Sequence, residues 1–346
     1  MKLVAAIAVH VPAEDVLREL RFFERIRRAF GGKPDLRTGR VRASVEATAI
    51  VESARDALRS LGVTNAISLT VDDTTLFHDR ESKPDDLGDL LVAFHENESV
   101  FGQGFRELRL AVEHREAGLH LVLEINARSE HATEAPTVRI LVSGRIAALA
   151  PLPGEDADAY RARTQPLVKD AAAFTGHELQ FTSFVDRLRD ALASSLPIGR
   201  VEIEGTETRI VRPSDKPATP ARDQDHASRA YDPFDYYYPN LYAYAFIDAM
   251  IWTSIFSFAF HPHYVVVDHA NHFQGHTDDK GIEAGPTASN DDASHWNEAD
   301  KSVGTDEDSM RSESGGDSGG DSGGDSGGDV GGDFGGDGGG FDFSFD

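Results

Sequence analysis

Two groups of residues in this sequence have the types and the spacing to do chemistry. The first is the run HPHYVVVDHANHFQGH, in which His261, His263, His269, His272 and His276 surround Asp268. Residues two apart on an extended segment point the same way, so His261 and His263 form one pair of imidazoles that His269 and His272 can meet across a turn. Imidazole with carboxylate suits a divalent transition metal such as Zn²⁺, Ni²⁺ or Cu²⁺, and His261, His263, His269 and His272 are the candidate ligands. The spacing matches no closed zinc pattern, and a pH-responsive surface patch or plainly solvated histidines explain the run without a cofactor.

The second group is His120 and Glu124, four apart in a segment of alternating polarity and on the same face as Glu107 and Arg109 of the preceding one. A carboxylate beside a histidine can move protons. The same residues suit the solvated face of an ordinary sheet, which is the expectation here, and no catalytic residue is assigned. Other motifs fail on their mechanics. Gly102-Gln103-Gly104 lacks the third glycine of a dinucleotide loop and leads into a strand rather than a helix. Gly31-Gly32-Lys33-Pro34 is no phosphate loop, because the proline removes a donor, and Phe94-His95-Glu96 lacks a second histidine at the zinc-protease spacing.

The far end carries a different signal. From Ser314 the tetrapeptide SGGD repeats, and the chain finishes in GGGFDFSFD. This composition cannot bury enough surface to offset the entropy of ordering and is expected to be disordered. It resembles the glycine-rich endings of many bacterial proteins and assigns no family. Phe341, Phe343 and Phe345, set among aspartates on a glycine tether, are candidate partner-binding residues for a basic, apolar-floored groove on another protein. A solubilising tail with incidental phenylalanines is the alternative.

Charge divides the chain in the same way. The formal net charge is −25, with 28 Lys and Arg against 33 Asp and Glu up to Arg212, and 6 against 26 beyond it. An acidic excess repels phosphates and anionic lipid, so nucleic acid is not an expected partner. The absence of cysteine removes disulfides, thiolate metal sites and thiol nucleophiles. Leu241 to Phe260 (LYAYAFIDAMIWTSIFSFAF) has the length of a bilayer crossing, with tyrosines before it for an interfacial belt. Asp248 near its middle costs roughly 2.5 to 3.5 kcal/mol on the insertion scale, which favours instead an apolar element packed on the main domain or on a second copy.

The elements that must position these groups follow from periodicity. Met1 to Val9 reads as a buried first strand rather than a cleaved signal. Helical spacing predicts helices through Val16 to Phe30, Ala47 to Leu61, Ala157 to Ala171 and Phe181 to Leu192. Alternation predicts strands around Ile67 to Val71, Leu108 to Val112, Leu119 to Ile125 and Val138 to Val142, and a last hairpin through Val201 and Ile203, turning at Gly205 and returning at Ile210 and Val211.

The expected architecture is α+β: an antiparallel sheet with helices packed on one face over residues 1–212, a proline-marked linker over 213–230, an aromatic and His-rich appendage over 231–276, and a disordered acidic tail over 277–346. The expected function is that of a non-catalytic interaction or scaffold protein, cytoplasmic, acting through a protein partner with a basic groove or through self-association. The alternatives are a membrane-tethered chain with Leu241 to Phe260 in the bilayer and an enzyme using the polar sheet face.

Overall fold

Leu3, Ala5, Ile7 and Val9 alternate with Lys2, Val4, Ala6 and Ala8, and this pattern forms β1 (Lys2–His10), buried along almost all its length. The computed structural model describes residues 1–10, 51, 53–79, 105–128, 137–196, 200–213, 226, 228, 230–239, 241, 245–255, 264–278 and 281–283. Helix α1 (residues 53–60) ends at Gly62, whose φ of 79° is the left-handed exit that glycine takes without strain. Strands β2 (Asn65–Val71) and β3 (Thr74–His78) are joined by Asp72-Asp73. Strands β4 (Glu107–Glu116) and β5 (Leu119–Arg128) are joined by Ala117-Gly118. Both two-residue turns have positive φ at both positions, the geometry whose twist matches the strands it connects.

After β6 (Thr137–Ile146) come α2 (Ala157–Val168) and α3 (Ala171–Ser195). Each starts at an aspartate: the Asp156 side chain accepts from the backbone N–H of Asp158 and Ala159, and that of Asp170 accepts from Ala173. Then follow β7 (Arg200–Val211), the short α4 (Pro233–Tyr237), α5 (Ala245–Ile255), β8 (Val265–Val267), β9 (Phe273–Asp278) and β10 (Gly281–Glu283). The ten strands form one sheet in the order β10-β9-β8-β7-β1-β6-β5-β4-β2-β3. Every pairing is antiparallel except β7 with β8. The fold class is α+β, as the alternating segments imply.

One face of the sheet is the apolar core. Phe181, Phe184, Leu188 and Leu192 of α3, with Leu58 of α1 and Ile247, Ile251 and Ile255 of α5, pack on Leu3, Ile7, Leu121 and Ile140 of the central strands. Gly144 of β6 is small because Phe181 lies on it: a Cβ there would sit 3.2 Å from the Phe181 ring and 2.9 Å from a Leu121 methyl.

Three expectations change. No hairpin turns at Gly205; β7 runs straight through, and the glycine sits where the β1–β7 register slips by one residue at a bulge. Residues 231–276 are not an appendage, because β8 adds to the β7 edge and α5 contributes to the main core. Order also extends past residue 277, through β9 and β10. The physical reason is that Val265 to Val267 is too short to show a rhythm of its own, yet three residues suffice to extend an existing edge. Met1–Lys301 is one compact unit and Ser302–Asp346 a second, which lies wholly outside the described residues. The first predicted helix, Val16 to Phe30, lies outside them as well.

Among the described residues no helix is long and apolar enough to cross a membrane. Helix α5 uses the middle of the apolar Leu241 to Phe260 stretch and turns three isoleucines, four residues apart, onto the core.

Candidate functional site

Residues directly opposite one another on neighbouring strands share a face, so the registers lay out the second face of the sheet in rows. One row holds His120 of β5 opposite Arg145 of β6, and Lys2 of β1 opposite Arg209 of β7; pairing of Leu3 with Gly144 makes Lys2 and Arg145 neighbours. The next row is Glu113, Val122, Ser143, Val4 and Glu207, and the one after contains Ala111, Glu124, Leu141 and Ala6. A fourth contains Arg109, Asn126 and Arg139.

This face, expected to be wet, is covered. Glu124 is 0% exposed, His120 2%, Arg145 3% and Arg209 1%. The cover comes from His226, residues 230–239 and Leu241. Tyr231, with Tyr236 beside it, packs on Ala6 and Leu141, and Phe234 packs on Ile67, Ala111 and Val122, with Tyr237, Tyr238 and Leu241 around it. Local sequence builds this strap: the Asp232 side chain caps α4 by accepting from the N–H of Phe234, and Pro233 occupies the first turn, where a missing N–H is harmless.

At the centre lies the Glu124 carboxylate. Tyr231 donates its hydroxyl to Glu124 Oε2 at 2.6 Å and Tyr237 donates to the same oxygen at 3.2 Å. His226 Nδ1 lies 3.4 Å from Glu124 Oε1, and the other ring nitrogen of His226 meets the Arg109 guanidinium. Burial first, and then the Glu124 charge, push both phenols well above the usual tyrosine range. Burial works against the charge of Arg109, but Glu124 and Glu107 outweigh it and raise its pKa.

A second carboxylate sits beside it. Glu113 Oε1 lies 3.0 Å from His120 Nε2, and Tyr238 donates to Glu113 Oε2. Burial alone would raise the Glu113 pKa, yet the hydrogen bonds from His120 and Tyr238 overcome it and hold the carboxyl at about 2. The His120 ring is fixed edge-on to Phe234, with centroids 4.9 Å apart.

The third cluster ties the strap to the basic row. Arg145 donates to Asp232 Oδ2 at 2.8 Å and to Asp235 Oδ1 at 2.7 Å. Lys2 donates to Asp235 and to the Asn271 side-chain oxygen, and the Asn271 amide donates to Asp235 Oδ2 at 3.1 Å. Burial disfavours the Asp235 charge, but Lys2 and Arg145 hold its pKa far below the carboxylate range. Asn271 reaches this place from a turn in which Asp268 Oδ1 accepts from the backbone N–H of Ala270 and His272.

Of the four histidines proposed as metal ligands, two are among the described residues. His261 and His263 lie outside the described residues. His269 Nδ1 is 3.9 Å from Asp248 Oδ2, whereas His272 is exposed and its Nδ1 is 3.1 Å from Asp268 Oδ2. Among the described residues no three His, Asp or Glu side chains are grouped to hold a metal ion. Phe341, Phe343 and Phe345 also lie outside them.

His120, Glu124, Glu107 and Arg109 do share a face, as their spacing requires. What the spacing does not reveal is the roof. Tyr231, Asp232, Asp235, Tyr237 and Tyr238 carry it, and the signal was present in YDPFDYYY, where Asp-Pro is a helix start and two acids alternate with aromatics. Chemically the arrangement is a clamp: Glu113 and Asp235 are held ionised, Tyr231, Tyr237 and Tyr238 protonated, and Arg109 and Arg145 charged. Comparison with family models, curated proteins and solved structures finds no match to this chain.

Proposed function

We propose that this chain is a non-catalytic interaction protein, in which a rigid α+β unit carries an acidic, aromatic-tipped C-terminal segment to a protein partner with a basic groove. The observation that supports it is the roof. The acid–base residues with the best spacing for catalysis, His120 and Glu124, are 2% and 0% exposed beneath the protein's own Tyr231 and Phe234. Their neighbours are poor proton carriers at neutral pH: Glu113 is held ionised with a pKa of about 2, and burial keeps Tyr231 and Tyr237 protonated. Groups so matched lock a surface strap in place, which suits a scaffold better than a turnover site. The enclosing compartment in this reading is the cytoplasm.

The reading assigns recognition to Phe341, Phe343 and Phe345, where aromatic anchors among aspartates match a groove that is apolar at its floor and basic at its rim. The test is a photo-crosslinking amino acid at position 343 of the full chain, activated in cells. A discrete adduct with one basic protein, competed away by a peptide of residues 330–346, is the expected result. Adducts that are diffuse and indifferent to the peptide overturn it.

A further inference from the structure

Arg209 is 1% exposed and is among the largest fully buried side chains of the protein. Its Nε donates to Glu207 Oε2 at 3.1 Å. Its two terminal nitrogens, Nη1 and Nη2, are buried and make no hydrogen bond among the described residues. A guanidinium carries five N–H donors that cannot be switched off, because the group stays charged at any accessible pH. Leaving the outer edge of that fork without acceptors is costly, so a buried fork of this kind calls for an acceptor that the described residues do not supply.

The surroundings say which kind of group. Arg209 stands directly opposite Lys2, and Lys2 is next to Arg145, so three cations lie side by side across β7, β1 and β6. Like charges opposite one another on a sheet repel. Arg145 and Lys2 are relieved by Asp232 and Asp235 of α4, with Asn271 completing the Lys2 contacts. Neither aspartate accepts a hydrogen bond from Arg209, whose only acceptor among the described residues is on its Nε side. Two parallel N–H groups of one guanidinium match the two oxygens of a carboxylate or a phosphate, a pairing that a single water cannot span.

We propose that the Nη1 and Nη2 edge of Arg209 is a binding site for a small oxyanion, a carboxylate or phosphate group held inside the protein as the fourth anion of the Lys2, Arg145 and Arg209 row. An anion that binds only the folded state raises stability in proportion to the logarithm of its concentration. Glu207 carries the competing negative charge beside the site, and neutralising it strengthens the attraction for the guest.

The experiment uses the full chain, dialysed free of both anions, with inorganic phosphate and succinate as separate probes at constant ionic strength. Thermal unfolding and isothermal titration are read for the wild type, Arg209→Gln and Glu207→Gln. The expected result is saturable binding of one probe with a rising unfolding midpoint, loss of that rise in Arg209→Gln, and affinity at least about tenfold tighter in Glu207→Gln. Which probe saturates tells a phosphate guest from a carboxylate one. No saturable binding of either probe to the wild type and Glu207→Gln overturns the proposal, and so does an equal rise in Arg209→Gln, which is an adventitious ion only. Should Arg209→Gln fail to fold, Glu207→Gln decides: an affinity unchanged from the wild type rejects the site.

Discussion

Glu113 is a half-buried carboxylate that pays its desolvation through His120 and Tyr238, and this has a measurable pH signature. Its pKa falls from 4.5 in the open chain to about 2 in the fold. A depressed carboxylate stabilises the fold fully above its unfolded pKa and stops doing so as pH falls through its folded one. The contribution is therefore present at neutral pH and disappears between about pH 4.5 and 2, with a ceiling of roughly 3 kcal/mol. In Glu113→Gln, stability from urea unfolding is lower than the wild type at pH 7, and the two curves converge by pH 2. Curves that stay parallel would show that Glu113 is not held this way. The Tyr231 hydroxyl gives a companion test, because it supplies the 2.6 Å bond to a carboxylate that has no access to water. Tyr231→Phe keeps the ring on Ala6 and Leu141 and removes only that donor, so the expected loss is about 1.5–3 kcal/mol. A loss under half a kcal/mol means that Tyr237 and His226 suffice.

At the level of elements, what could be read from the chain was what repeats. Alternation over Leu119 to Ile125 and Val138 to Val142 marks β5 and β6, and four-residue spacing through Phe181, Phe184 and Leu188 marks α3, because both periods are set by backbone geometry alone. The polar face was legible as a face but not as a buried one. His120 and Glu124 alternate with leucines in the same way whether water or Phe234 lies above them, so burial there depends on a partner more than 100 residues away. The hairpin assigned at Gly205 failed because a glycine between two apolar pairs marks a turn or a bulge equally well, and only the β1 register distinguishes them. Turn chemistry yields a prediction here. Ala117 sits at a φ of 49° in the β4–β5 turn, followed by Gly118 at 79°. A side chain without a local hydrogen bond is strained there, whereas Asn-Gly is the favoured pair for this turn. Ala117→Asn is expected to raise stability by about 0.5–1 kcal/mol, visible as a higher urea midpoint at an unchanged slope. A lower midpoint would mean that the turn is not what fixes this register.

For the whole molecule, the question is where the autonomous unit ends. Hydrophobic rhythm stops near Arg212, and a chain cut there would keep β1 to β7 and α1 to α3. It would lose Ile247, Ile251 and Ile255 from the core, each worth about 1.5–3 kcal/mol when buried. Three such side chains rival the entire 5–15 kcal/mol by which a domain is stable. It would also lose the strap, which uncovers Ala6, Ala111, Val122 and Leu141 and takes Asp232 and Asp235 from Arg145 and Lys2. Finally, β7 would become a bare edge where Val265 to Val267 now pair with Arg209 to Val211, an invitation to pair with other chains. A fragment of residues 1–212 is thus expected to aggregate or to unfold without a cooperative transition. A fragment of residues 1–301, the whole first compact unit, should keep the cooperative transition of the full chain. The comparison is a pair of urea curves with sedimentation of both fragments. A monomeric 1–212 fragment with the full-length midpoint would show that the strap, α5 and the β8 edge merely decorate a sheet that is complete without them.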